Sequence, residues 1–327
     1  MNKGRYQPGA LRARLEKFRR ETALAGPRGL ELERSIVWML GSPRSGSTWL
    51  LNLLAIHPRV VRFDEPGIGY HLGLFTSDVM GAHPGSFDDV RSLLPAARKD
   101  QDQYFFSTAY ERIWKPRLRR LILARFDAQL RDATRKRTVD APLAVVKEPA
   151  GSQAAAFLLS VLPASRLLFL ARDPRDVLDS IGDAVRAGSW LAGQFGATSD
   201  PSPAERMSVL RAQALRWLAR TEVVTRTYDR LPERQRYLVR YEDLRADTVP
   251  VLDGILRWLG LDIEGGRLAQ AVEKLSFEAL PETSRGEGKF ARAADPGLWR
   301  KNLSTEEQAM IREILGEAML KLGYDPD

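Results

Sequence analysis

Apolar, β-prone runs recur along the chain at residues 35–40 (SIVWML), 59–63 (RVVRF), 143–147 (LAVVK), 166–171 (RLLFLA) and 236–240 (RYLVR), with helix-period segments between most of them. Short continuous apolar strands alternating with helices predict a parallel sheet buried on both faces, an α/β doubly wound architecture of about five strands flanked by helices. In such a sheet ligands sit beyond the carboxyl ends of the strands.

Outside these runs, Leu11, Leu15 and Phe18 fall on one helix face, with Arg12, Lys17, Arg19 and Arg20 elsewhere on it. The AGPRG segment then ends the pattern. Residues 1–30 therefore read as a basic helical arm, better explained as a packing element with a solvated basic face than as a membrane-surface or partner helix. The remainder, 31–327, reads as a single domain. Residues 109–133 form a helical pattern with an expected kink at Pro116, and 184–206 reads as a Gly-, Ser- and Pro-rich loop carrying Trp190 and Phe195. The segments 66–135 and 184–206 are expected to face an acceptor. The last helix starts at a capping box, Ser304 with Glu307, and stops at Gly323.

Composition narrows the chemistry. The 327 residues, 44% of them hydrophobic, can bury a sizeable core. The net charge of +8 favours an anionic ligand or surface, an excess too small to imply nucleic acid. The absence of cysteine removes disulfide and thiol chemistry, and His57, His71 and His83 are too scattered for a zinc site, so no metal is expected. No secretory signal and no run of about 18 apolar residues occurs, so a cytoplasmic protein without a transmembrane segment is expected.

The candidate chemistry begins at GSPRSGST, Gly41 to Thr48, which follows one strand-like run and precedes a helix-like one. It is P-loop-like, yet Ser47 stands where a P-loop carries its lysine. The loop amides and the positive end of the next helix can hold one anionic group, and Arg44 returns the missing charge earlier in the loop. That shift suits a short anion, a 5′-phosphate bearing one transferable group, such as sulfate esterified to an adenosine phosphate. Further on, a strand ends in Arg172, Asp173 can cap the helix begun by Pro174, and Ser180 lies in the second turn. Arg172 and Ser180 can both grip another phosphate.

Here the chain resembles the sulfotransferases that use 3′-phosphoadenosine 5′-phosphosulfate (PAPS, with product PAP). SPRSGSTWL is similar to their 5′-phosphosulfate loop and LARDPRDVLDS to their 3′-phosphate motif. The resemblance implies that Ser45, Gly46, Ser47 and Thr48 hold the phosphosulfate, that Trp49 lies against adenine, that Arg172 and Ser180 hold the 3′-phosphate, and that Tyr241 adds a nucleotide contact. A looser match, ETSRGEG with GLWRKNLS, implies a cofactor-covering segment using Ser284, Arg285 or Lys289.

Sulfuryl transfer to a hydroxyl needs a base within reach of the acceptor proton. The central strand ends in Lys147, Glu148 and Pro149, without the histidine of cytosolic members. Tyrosylprotein sulfotransferases resemble this chain more closely around the base, and their register implies Glu65 in HPRVVRFDEPG as that base. Asp64, His71 and His83 are weaker candidates, and His57 reads as a helix-end residue facing the dipole. Lys147 is expected to add charge at the sulfuryl group together with Arg44. The expected reaction is transfer from PAPS to a hydroxyl of a small-molecule, carbohydrate or lipid acceptor. The rivals are an ATP-dependent P-loop small-molecule kinase, which would need a lysine at position 47, and a basic protein binding nucleic acid or acidic membrane without catalysis.

Overall fold

The computed structural model describes residues 24–71, 99–135, 140–190, 192 and 198–327. Leu11, Leu15, Phe18, His83 and Phe195 lie outside these, as does most of 66–98.

In chain order the first half runs α1 (Pro27–Arg34), β1 (Ile36–Gly41), α2 (Ser47–Leu54), β2 (Val60–Asp64), α3 (Ile68–His71), α4 (Glu111–Thr134), β3 (Leu143–Lys147), α5 (Ala155–Val161) and β4 (Arg166–Ala171). It continues with α6 (Pro174–Ala184), α7 (Pro203–Arg230), β5 (Arg236–Arg240), α8 (Tyr241–Ala246), α9 (Thr248–Leu259), α10 (Gly265–Lys274), α11 (Trp299–Asn302) and α12 (Thr305–Lys321). The strands form one five-stranded sheet in the order β2-β3-β1-β4-β5, parallel at every pairing. The predicted architecture is therefore the observed one.

Every residue of β1 is buried, which is why its sequence shows no polar alternation. Its side chains nonetheless divide by parity. Ile36, Trp38 and Leu40 join the core beneath α4, α5, α7 and α12, whereas Val37 and Met39 join the opposite core with α2 and α9. Trp38 donates its indole N–H to Ser165 Oγ at 3.0 Å, so the largest ring of the central strand leaves no orphaned donor.

Helix α4 contains Pro116 near its amino end. Two local readings change. The 184–206 loop is shorter than expected, because α7 begins at Pro203 with Ser202 and Glu205 closing a capping box across its first turn. His57 does not cap the dipole of α2. It is buried in the turn to β2, its Nδ1 accepts the Arg59 N–H at 3.2 Å, and burial lowers its pKa.

Candidate functional site

All five strands contribute at their carboxyl ends. Beyond Gly41 the chain turns through the anion loop into α2, and two of its residues have left-handed backbone, Arg44 at φ 67° and Gly46 at φ 86°. At Gly46 the requirement is also steric, since a Cβ there would lie 2.6 Å from the Tyr241 ring. Ser45 is buried and its hydroxyl donates to the Ser42 carbonyl at 2.6 Å, fixing the loop from within. The first amides of α2, at Ser47, Thr48 and Trp49, have no acceptor within the helix and no side-chain cap, so they present donors at the positive end of its dipole.

The cation missing from position 47 comes from the neighbouring strand. Lys147 Nζ donates to Thr48 Oγ1 at 2.9 Å and pairs with Asp64 at 2.7 Å and Glu65 at 2.9 Å. Register makes this possible: Lys147 lies beside Met39 of β1 on one edge and Asp64 of β2 on the other. The lysine is buried, not the exposed strand-end group that a terminal position permits, whereas Glu65 is 52% exposed. Glu65 also has left-handed backbone, φ 49°, and its N–H is fixed by the Lys147 carbonyl at 2.8 Å. Strain of this kind at a non-glycine residue costs on the order of 1 kcal/mol and persists only where surrounding structure enforces it. Of the three non-glycine residues with positive φ among those described, Arg44 and Glu65 are both here.

Glu148, expected to be a mere neighbour of Lys147, is buried. Its Oε1 accepts the Gly69 N–H at 2.9 Å, tying α3 to the end of β3, and its Oε2 has no partner among the described residues. Burial, with the charge of Glu65 in support, pushes its carboxyl up to about 7, against the Gly69 hydrogen bond. The folded chain thus holds a proton that the unfolded chain releases, and stability falls as pH rises from about 4.5 through 7. Glu148→Gln mimics the protonated form. It should raise stability above pH 7 by on the order of 2–3 kcal/mol and change little near pH 4.5, read from denaturant midpoints across pH. Equal midpoint shifts at both pH values would contradict the assignment.

At the end of β4, Arg172 is buried. Its Nη1 donates to the Arg44 carbonyl at 3.0 Å, its guanidinium stacks 4.2 Å from the Tyr241 ring centroid, and its Nε has no partner among the described residues. Asp173 caps α6 as its sequence predicts, accepting the Arg175 N–H. Ser180 is buried rather than an exposed helix residue, and its hydroxyl accepts from Arg44 Nε at 3.0 Å. Arg44 Nη2 donates to the Phe290 carbonyl at 2.7 Å, and its guanidinium lies over the rings of Phe290 and Trp190. Burial and then the charges of Arg172 and Arg292 push the Arg44 pKa down to about 10. Three guanidinia thus crowd one pocket, an arrangement that an anion would relieve.

Most of the expected site residues line one cleft of about 730 Å³, while Ser45 and Lys147 sit behind its wall. Arg44, Gly46, Ser47, Thr48 and Trp49 form one wall; Glu65, Arg172, Ser180, Tyr241 and Ser284 also face it. Trp49 is partly buried, with its N–H on the Leu275 carbonyl at 2.9 Å and its ring edge-on to Tyr241. The Tyr241 hydroxyl is committed to the Ala294 carbonyl at 2.6 Å, so its buried ring, packed against Gly46 and the Arg172 guanidinium, is what it brings to the cleft wall. Of the three residues left open in the covering segment, Ser284 alone lines the cleft; Arg285 donates to the carbonyls of Phe277 and Glu278. Arg292 and Phe290, singled out by no motif, line it as well. Among the described residues no cluster could hold a metal ion and no helix is long and apolar enough to cross a membrane.

A family model described as "Sulfotransferase family" matches residues 37–265. Among solved structures, sulfotransferase STF9 from Mycobacterium avium is similar with TM-score 0.50 and 16% identity, covering 88% of this chain and 77% of that one. Mouse sulfotransferase SULT7A1 complexed with PAP has TM-score 0.46 and 12% identity, covering 88% and 85%. Retinol dehydratase in a complex with retinol and PAP has TM-score 0.48 and 16% identity, covering 87% and 81%. No curated protein sequence matches the chain.

Proposed function

The chain belongs to the sulfotransferase family, and from that premise we propose that it transfers a sulfuryl group from PAPS to a hydroxyl of a small-molecule, carbohydrate or lipid acceptor, with Glu65 as general base. The observation that carries this reading is Lys147 Nζ, which bridges the anion loop at Thr48 and the carboxylate of Glu65. One ammonium thereby joins the place where an anion fits to the place where a proton can go.

The donor side fits the nucleotide. Arg172 Nε, without a partner among the described residues, the Ser180 hydroxyl and the crowded guanidinia of Arg44 and Arg292 suit a 3′-phosphate and its neighbouring anion. The amides opening α2 suit the 5′-phosphosulfate, and Trp49 with Tyr241 offers apolar ring surface for adenine. When bound, PAPS supplies the sulfuryl group to be transferred.

Glu65 takes the acceptor's proton as the new S–O bond forms, while the bond to the nucleotide's 5′-phosphate breaks and its electron pair leaves on that phosphate. Asp64 matters in this step. Because Lys147 pairs with both carboxylates, it keeps an anionic partner when Glu65 becomes protonated. Lys147, Arg44 and the loop amides are fixed before reaction and stabilise charge spread over the sulfuryl oxygens and leaving phosphate.

Calorimetry with PAP and with ATP plus Mg²⁺, followed by labelled sulfuryl transfer to an acceptor panel, tests the reading. PAP should bind with micromolar or tighter affinity and PAPS should label a hydroxyl acceptor. Binding of ATP plus Mg²⁺ without PAP binding would overturn the proposal in favour of a kinase.

A further inference from the structure

Helix α6 carries three carboxylates, Asp176, Asp179 and Asp183, at spacings of three and four residues. They lie on the stripe that also holds Ser180. All three are buried. Like charges so placed repel one another and are costly to desolvate unless each meets fixed donors. The donors come from a single stretch, residues 288–302. Asp183 accepts the Gly288 N–H at 3.1 Å. Asp179 takes both Nη atoms of Arg292, one at 3.1 Å, and Asn302 Nδ2 at 3.0 Å. Asp176 accepts the N–H groups of Gly297 at 2.8 Å and Trp299 at 3.4 Å.

Between these anchors the stretch crosses the cleft, where Phe290 and Arg292 line the wall. Phe290 receives Arg44 on its carbonyl and Ala294 receives the Tyr241 hydroxyl. The helix that presents Ser180 to the anion pocket therefore also fastens the strap covering that pocket.

We propose that Asp179 is a positioning residue that holds Arg292 in the anion pocket, and that Asp176 and Asp183 fasten the strap on either side of it. The inference rests on the PAPS reading for its ligand. Bidentate pairing fixes the guanidinium plane and removes the side-chain freedom that binding would otherwise have to freeze. It also supplies a local negative charge beside three crowded arginines. Asp179 thus acts on the nucleotide only through Arg292.

The test is a double-mutant cycle on PAP affinity with Asp179→Asn, Arg292→Ala and the pair. Asp179→Asn should weaken PAP about tenfold or more in the wild-type background and cause no further loss in the Arg292→Ala background. Turnover at saturating PAPS should hold while KM for PAPS rises. Equal losses in both backgrounds would overturn the proposal by making Asp179 a general structural residue. Tighter PAP binding by Asp179→Asn would overturn it too, since Asp179 would then compete with the ligand for Arg292. If Asp179→Asn does not fold, Asn302→Ala replaces it in the same cycle, with a smaller loss that must likewise vanish without Arg292.

Hydrogen exchange on the ligand-free protein separates this inference from the reading beneath it. The Gly297 and Trp299 amides should be protected, and Asp176→Asn should speed their exchange about tenfold. Unchanged exchange would remove the anchoring role whatever the ligand. Protection lost as expected, in a protein that binds no PAP, would overturn the PAPS reading and Asp179's ligand role while leaving the strap fastened as described.

Discussion

Glu65→Gln should leave PAP affinity near that of the wild type and lower turnover by about 10²- to 10⁴-fold. The substitution keeps the size of the side chain and one acceptor oxygen for Lys147, but removes the basicity that the acceptor proton needs. Because Lys147 retains Asp64 at 2.7 Å, the lysine should stay where it is. Binding and chemistry should therefore separate, with PAP titration giving the first and single-turnover transfer the second. Glu148→Gln, although closer to Lys147 in sequence, should cost far less, since its carboxyl is buried against Gly69 and does not line the cleft. Near-full turnover by Glu65→Gln would remove Glu65 from the role of base.

The second large effect is expected at Arg172. Arg172→Ala should weaken PAP by roughly 2–5 kcal/mol, about 30-fold or more, because it deletes one partner of a desolvated charge pair. Adenosine 5′-phosphosulfate, which lacks the 3′-phosphate, should lose much less. The contrast between ligands guards against a trivial outcome. Arg172 also donates to the Arg44 carbonyl and stacks on Tyr241, so a variant that merely loosens the loop would weaken both ligands alike. Equal losses would place the 3′-phosphate elsewhere.

The sheet was readable because its strands are buried on both faces and so appear as unbroken apolar runs. The 35–40 and 59–63 runs differ from β1 and β2 by one residue at each end. The start of α7 was harder, although Ser202, Pro203 and Glu205 form a recognisable cap, because they sit within a Gly-, Ser- and Pro-rich stretch. In the candidate site, Arg44, Gly46 to Trp49, Arg172 and Ser180 follow strand ends in local motifs, which is why the sequence could nominate them, and all of them line the cleft. Lys147 was nominated too, but its burial was not legible, since burial depends on β2 lying beside β3. Arg292 carries no local signal at all. Its partner Asp179 is 113 residues away, and the three acids spaced along one helix face are a signal only that donors from elsewhere must meet them, not which donors.

The lysine borrowed from β3 has a consequence for the order in which the protein acquires competence as it folds. In a P-loop with its own lysine, loop and cation arrive together as one local segment. Here Thr48 and Lys147 are 99 residues apart, and they meet only once β3 has docked on β1 in the correct parallel register. Such non-local pairing is intrinsically slow, because the intervening chain must close before the contact is rewarded. Recovery of anion binding during refolding therefore follows the assembly of the central ladder, and a probe of the cleft doubles as a clock for the docking of β3 on β1.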